Sequence, residues 1–334
     1  MTDDLLARHD VLLADLDGTL YAGKDAVPGA VEAVVNAAAR GVRTAYVTNN
    51  ASRRPSEVAA HLAELGFPAA TDDVRTSSQA GAAMLAEQLP AGASVLVVGT
   101  VALVEEVTGR GLTVTDTAEG ADAVVQGHSP DTGWRHLAEA TAAVRGGALW
   151  VATNVDPTLP TERGPMPGNG SMVGVVRIAS GKEPQVAGKP APRLIKEAAD
   201  ATGAERGLVV GDRLDTDVAG GTAVGLPTLL VLTGVSTPAD VLTAPENQRP
   251  TYIAADLSSL TRQADELAPG PRPGWQVTDD LVLTGDGDGS PEPELDALRA
   301  LCGAHWASGG GPVVVRGEGD AATKVLAALK LASG

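Results

Sequence analysis

The chain has 334 residues, 43% of them hydrophobic, with a mean hydropathy near zero and 42 acidic against 25 basic side chains for a formal charge of −17. That length holds two or three compact domains and that composition excludes a disordered chain. The acidic surplus argues against a nucleic-acid surface or an anionic membrane, where clustered Lys and Arg supply the affinity, so a negatively charged ligand needs a local positive pocket.

In chain order, the opening MTDDLLARHD lacks the basic and apolar regions of a secretory leader. No later apolar run approaches the roughly 20 residues that span a bilayer, which sets the expectation of a cytoplasmic protein without a membrane partner. VLLADL, from Val11, reads as a strand, PGAVEAVVNAAARG as a helix over Pro28–Gly41, and RTAYVT as a second strand. A helix follows from Pro55 to Leu65 and stops at Gly66. Further strands are expected at SVLVVG, ADAVVQG, LWVAT, GLVVGD and PTLLVLTG, alternating with Ala-rich amphipathic segments, which is how a parallel sheet with covering helices is written. APGPRPG, Ala268 to Gly274, reads as a linker. Beyond it, Trp275 to Ala332 reads β-β-α-β-α, with strands at WQVT, LVLTG and PVVVRG and helices at PELDALRALCGAHWA and AATKVLAALKLA. The lone Cys302 sits in the first of these helices at a packing position. GDGDG, Gly285 to Gly289, reads as a turn, because it lacks the ligand rhythm of a calcium loop.

Four polar clusters stand at strand ends, where open α/β sheets bind ligands. Asp15 and Asp17 follow the first strand and point the same way in an extended chain, so they repel unless a cation sits between them. Taken alone, Asp17-Gly18 is equally a simple turn. Thr48, Asn49 and Asn50 follow the second strand, Lys189 lies in GKP before a helix-like run, and Asp212 and Asp217 stand in GDRLDTD after GLVV. Read singly, these are a helix cap, a solvated lysine and an acidic loop. Together they are the parts needed for magnesium-assisted phosphoryl transfer.

The order and spacing of DLDGTLYAG, VTNN, VAGKP and GDRLDTD resemble the haloacid dehalogenase superfamily of phosphatases, in its subgroup with a large cap between the second and third motifs. ATNVDPTLPTERGPMPGNGSM is similar to that subgroup's cap segment, and the nearest likeness within it is to actinobacterial glycerol 3-phosphate phosphatases, with phosphoglycolate, pyridoxal phosphate and nucleotide phosphatases as relatives. The resemblance implies an α/β fold: a Rossmann-like parallel-sheet core with an inserted α/β cap domain and a small α+β C-terminal segment. It implies Asp15 as nucleophile and Asp17 as the acid and base that serves leaving group and water. It also implies that Thr48, the Asn49 amide, Asn50 and Lys189 bind the phosphoryl group. Mg2+ would be held by Asp15, the Asp17 carbonyl and Asp212, with Asp217 holding a metal-bound water.

About 140 residues separate Thr48 from Lys189, far more than one crossover needs, so a cap is expected at 80–181 between core segments 1–79 and 182–267, with 275–334 a small accessory domain. Pyridoxal phosphate phosphatases carry a histidine in the segment matching NVDPTLP, where this chain has Leu159, and the nearby PGNGSM offers compact backbone and a hydroxyl. His128 and His136, elsewhere in the cap, read as surface or packing residues. RGEGDA, Arg316 to Ala321, loosely resembles an acetyltransferase pyrophosphate loop, but the segment is too short for that fold and reads as non-catalytic. The expected activity is hydrolysis of a small phosphorylated metabolite, best matched by glycerol 3-phosphate, through an aspartyl-phosphate. A mutase using the same intermediate is the enzyme alternative. A phospho-accepting signalling module is the other, and the inserted cap counts against it. The oligomeric state is left open, a homodimer among the options.

Overall fold

The computed structural model describes residues 4–161 and 163–331, so Glu162 in the cap stretch and Ala332 at the expected end of the tail lie outside the described residues. It divides into two compact units, residues 1–44 with 204–334 and residues 45–203. Parallel sheets flanked by helices, with a small further sheet at the C-terminus, give the α/β class read from the sequence.

In the first unit, Val11–Ala14, Gly207–Gly211 and Thr228–Val231 are buried at every position. A strand covered on both faces has no polar face to alternate, which is why these segments are written as unbroken apolar runs. They run parallel, with Leu12 opposite Leu208, Val210 opposite Leu229 and Leu230 opposite Ile253 of the next strand, Tyr252–Ala254. The helix expected from Pro28 begins only at Ala30, because Gly29 adopts a left-handed φ of 79° at its N-cap and leaves Pro28 outside.

The C-terminal segment belongs to this unit's core. Its sheet pairs Trp275–Val277 antiparallel to Val282–Gly285, which then pairs parallel to Arg316–Gly317. The strand expected over Pro312–Gly317 is thus confined to its last two residues, since Gly309, Gly310 and Gly311 all take positive φ and the Val314 side chain faces solvent. Helices Pro293–Ala307 and Asp320–Ala328 place Leu298, Leu301, Cys302 and Leu326 in one apolar cluster with Leu230, Val241 and Ile253. Each such side chain contributes roughly 1.5–3 kcal/mol of burial. Cys302 is fully buried, and burial pushes its thiol pKa up. Arg299, 0% exposed, donates Nε (3.0 Å) and Nη2 (2.7 Å) to the Ile253 carbonyl, and Nη1 to Asp296 (2.8 Å) and Glu292 (3.1 Å). The Pro/Gly-rich stretch before the segment is pinned: the Gly270 N–H donates to the Arg299 carbonyl at 3.0 Å. A Cβ on Gly303 of the helix would lie 2.6 Å from the Gly270 backbone.

In the second unit, Tyr46, Val47 and Thr48 at the end of strand Arg43–Thr48 pair in parallel with Val74, Arg75 and Thr76. Helix Ser77–Gln88 follows, capped by the reciprocal Thr76–Gln79 bonds of 3.3 and 3.0 Å. A second, fully parallel sheet runs in the order Gln185–Val186, Leu149–Ala152, Ala123–Gln126, Ser94–Val98, Thr113–Thr115. Helices Trp134–Arg145 and Asn169–Ser180 cover one face through Leu137, Ala140, Val144, Val173 and Val176. Between strand Leu149–Ala152 and the second of these helices, Thr158–Thr161 and Gly164–Pro167 form an antiparallel hairpin. No helix among the described residues is long and apolar enough to cross a membrane.

Candidate active site

The acidic residues gather in the first unit. Carboxylate oxygens of Asp15, Asp212 and Asp217 all lie within 4.8 Å of one another, and Asp212 and Asp217 are 0% and 1% exposed. Asp212 follows strand Gly207–Gly211 directly, and a single wide turn over Leu214–Val218 swings Asp217 back beside it, closed by Val218 N–H to the Arg213 carbonyl at 3.1 Å. The Val235 N–H donates to Asp212 Oδ2 at 2.6 Å, and the Arg213 N–H to Asp217 Oδ2 at 3.1 Å. Two glycines make the room. A Cβ on Gly18 would lie 2.6 Å from Asp212 Oδ2, and one on Gly234 would overlap the same oxygen.

Three carboxylates this close, two of them out of water, repel one another strongly unless a cation or protons intervene. The donors are all oxygen, the set a hard divalent cation such as Mg2+ prefers, and the glycines leave the carboxylates space to turn. The residues therefore fit a divalent metal. Asp17 lies outside this group, exposed at the turn whose Gly18 N–H donates to the Tyr21 carbonyl at 2.8 Å, while Thr233 Oγ1 donates to the Gly18 carbonyl at 2.5 Å. Asp215, within the Leu214–Val218 turn, pairs with Arg213 at 2.8 Å. Burial alone would raise its pKa, but the guanidinium outweighs burial and holds it below the usual carboxylate range.

The other candidates lie in the second unit. Thr48, 3% exposed, ends its strand, and its Oγ1 accepts the Asn50 N–H at 3.0 Å. The Asn50 side chain accepts the Ser52 N–H at 2.8 Å, so both side chains shape the loop they sit on. Lys189, also 3% exposed, donates Nζ to the Val47 carbonyl at 3.0 Å. The Asn49 side chain accepts the Lys189 N–H (2.8 Å) and donates to the Lys189 carbonyl (3.0 Å) and to Asp156 Oδ2 (3.1 Å).

Leu159 stands half-buried in the hairpin. The hydroxyl that PGNGSM was expected to offer is engaged, since Ser171 Oγ donates to the Pro157 carbonyl at 2.7 Å. Gly168 and Gly170 are needed because a Cβ at either would overlap the backbone of residues 155–158. His136 Nδ1 accepts the Gly133 N–H at 3.1 Å at its own helix start, and burial lowers the pKa of the half-buried His128. Sequence reasoning missed Gly18, Gly234 and the Asn154–Asp156 segment. The one available signal was the repeat of Thr-Asn, at Thr48-Asn49 and again at Thr153-Asn154.

Residues 12–113 match the model of the haloacid dehalogenase-like hydrolases, residues 186–260 a second model of HAD-like hydrolases, and residues 272–331 a GCN5-related N-acetyltransferase-like domain. The chain is 51% identical over 314 residues to D-glycerol 3-phosphate phosphatase of Mycobacterium tuberculosis, covering 90% of this chain and 86% of that protein. It is 38% identical over 263 residues to acid sugar phosphatase of Staphylococcus aureus, covering 78% of this chain and all of that one. The crystal structure of glycerol phosphate phosphatase from Mycobacterium tuberculosis in complex with magnesium superposes with a TM-score of 0.91 at 48% identity, covering 98% of this chain and 99% of that one. With the carboxylate cluster at the strand ends and full-length likeness of this degree, the chain belongs to the haloacid dehalogenase-like hydrolases.

Proposed function

We propose that the chain is a magnesium-dependent phosphomonoesterase whose preferred substrate is glycerol 3-phosphate. The observation that carries this reading is the 51% identity, spread over 90% of the chain, to an enzyme named for that substrate. The carboxylate cluster supplies matching chemistry. Asp15, Asp212 and the Asp17 carbonyl would hold the magnesium, with Asp217 steadying its water, and the bound ion neutralises phosphoryl charge.

In the first step an Asp15 oxygen bonds to phosphorus while the ester P–O bond breaks, and Asp17 gives its proton to the departing alkoxide. In the second, Asp17 takes a proton from water, whose oxygen attacks phosphorus and displaces Asp15, releasing inorganic phosphate. Asp17 suits proton exchange because it is exposed, in contact with solvent. Thr48, the loop amide of Asn49, Asn50 and the Lys189 ammonium bind phosphoryl oxygens, which every candidate substrate shares. Choice among substrates therefore belongs to the leaving-group side, for which we assign residues 80–181 as the cap, between core segments 1–79 and 182–267. Leu159 in the hairpin favours a small polyol over an aromatic ring. Segment 275–334 takes no part in the chemistry.

The test is the specificity constant for glycerol 3-phosphate, phosphoglycolate, pyridoxal phosphate and a nucleoside monophosphate, measured with magnesium and after chelation. Glycerol 3-phosphate should rank first and chelation should stop all four. A clear preference for pyridoxal phosphate overturns the substrate, and undiminished turnover in chelator overturns the metal.

A further inference from the structure

We infer that Asn49 is a positioning residue: its side chain fixes the backbone of Lys189 and, through Asp156, ties that lysine to the segment leading into the Thr158–Pro167 hairpin. The inference rests on the phosphatase reading for its effect on turnover, but its geometry stands apart from it.

Both ends of the Asn49 amide are engaged. Oδ1 accepts the Lys189 N–H at 2.8 Å, and Nδ2 donates to the Lys189 carbonyl at 3.0 Å and to Asp156 Oδ2 at 3.1 Å. An amide that accepts from the N–H and donates to the C=O of one residue grips that residue at two points, as a neighbouring strand would, and removes the rotation that a single bond allows. With Nζ bonded to the Val47 carbonyl at 3.0 Å, Lys189 is held at its nitrogen, its carbonyl and its tip by residues 47 and 49. The Asn49 carbonyl is engaged as well, accepting from Asn154 Nδ2 at 2.7 Å and Ser77 Oγ at 2.5 Å. Asn154 in turn accepts the Asp156 N–H at 3.2 Å.

The fit is specific to asparagine. A Cβ on Gly188 would lie 2.5 Å from Asn49 Oδ1, so residue 188 must be glycine for the amide to sit there, and aspartate in place of Asn49 lacks the two N–H donors. With the side chain committed to the protein, only the backbone amide of Asn49 is left for a phosphoryl oxygen.

The test compares wild type, N49A, N49D and N49D/D156N. Two quantities are read: kcat and KM for glycerol 3-phosphate with magnesium, and backbone hydrogen exchange of the peptide containing Lys189. Misplacing a charge-stabilising group by about 1 Å costs on the order of 100-fold in rate. N49A should lose about that much in kcat. Its KM should move by less than about threefold, and the Lys189 amide should exchange at least about tenfold faster, the equivalent of about 1.4 kcal/mol. Should N49A fail to fold, N49D carries the comparison, since it keeps the size and the acceptor but loses both donors. N49D/D156N restores a bond to residue 156 with its polarity reversed, but leaves the Lys189 carbonyl without its donor, so kcat should stay low. Recovery to near the wild-type kcat in that double variant overturns the inference, as does wild-type exchange at Lys189 in N49A. Wild-type protein that releases no phosphate from any ester, alongside faster exchange in N49A, strikes the phosphatase reading and upholds the positioning role.

Discussion

Replacing Arg299 with methionine should destabilise the first unit as a whole. The guanidinium, fully buried on a C-terminal helix, makes two bonds to the Ile253 carbonyl at 3.0 and 2.7 Å and one each to Asp296 and Glu292. Methionine nearly fills the space, so the cavity cost is small, and what remains is electrostatic. Removing one partner of a buried ion pair costs about 3–5 kcal/mol, because the other is left desolvated. Asp296, 4% exposed, keeps Ser290 Oγ at 2.6 Å and Arg272 at 3.4 Å, which places the expected loss near the lower end, about 3 kcal/mol. For a unit of this size that is a fall in Tm of roughly 6–12 °C. R299K, which keeps the charge but cannot span both Ile253 and Asp296, should lose less. The assay is thermal and urea unfolding, with the urea slope checked for constancy. A Tm within about 2 °C of wild type would refute the reasoning, since a few degrees is the least that 1 kcal/mol produces. So would a separate early transition that leaves the main one unmoved, since tail and sheet would then not be one cooperative body.

Three further outcomes are expected. D15N should lose at least ~10⁴-fold in phosphate release while its Tm holds or rises, because one of three crowded carboxylates is neutralised; near-normal release would remove Asp15 from the mechanism. G234A should raise the magnesium concentration for half-maximal activity at least about tenfold, since its methyl group must displace Asp212 Oδ2 and so weaken a ligand by about 1.4 kcal/mol; an unchanged metal titration contradicts this. His9, 7% exposed, bonds through Nδ1 to the Arg206 carbonyl at 3.1 Å, and burial lowers its pKa below the ordinary 6.5. The unfolded chain therefore takes up the proton first as pH falls, and the stability His9 contributes is complete above about pH 6.5 and lost toward the lower folded pKa. H9N, which keeps a donor but cannot titrate, should flatten the fall in Tm below pH 6.5, and a fall as steep as wild type would exclude His9 as its cause.

The strands buried on both faces were legible because burial on both sides is written directly as unbroken Val and Leu, as in Val11–Ala14 and Gly207–Gly211. Short strands such as Thr113–Thr115 and Gln185–Val186 are partly exposed and carry no such run, so they escaped notice. Residues 312–314 look like a strand by composition alone, but they follow three glycines of positive φ and stay outside the sheet. At the site, residue types could be read but partnerships could not. Nothing local links Asn49 to a lysine 140 positions away, and Ser171 shows no sign in sequence that its hydroxyl is turned back onto Pro157. Those facts belong to tertiary geometry, where a side chain's partner is set by topology rather than by its neighbours.

The stretch Ala268 to Gly274 has the composition of a flexible tether but the packing of a seam. Because Gly303 rides against the Gly270 backbone and the Arg299 carbonyl accepts the Gly270 N–H, the segment that follows has no freedom to swing away from the body that carries it. Ala268, Pro269 and Gly270 are half-buried, while Pro271, Pro273 and Gly274 stay exposed around the half-buried Arg272. A chimera cut at this stretch leaves Ile253, Val241 and Leu242 bare on one piece and Leu298 and Leu301 bare on the other, so the tail can be transplanted only together with the surface it sits on.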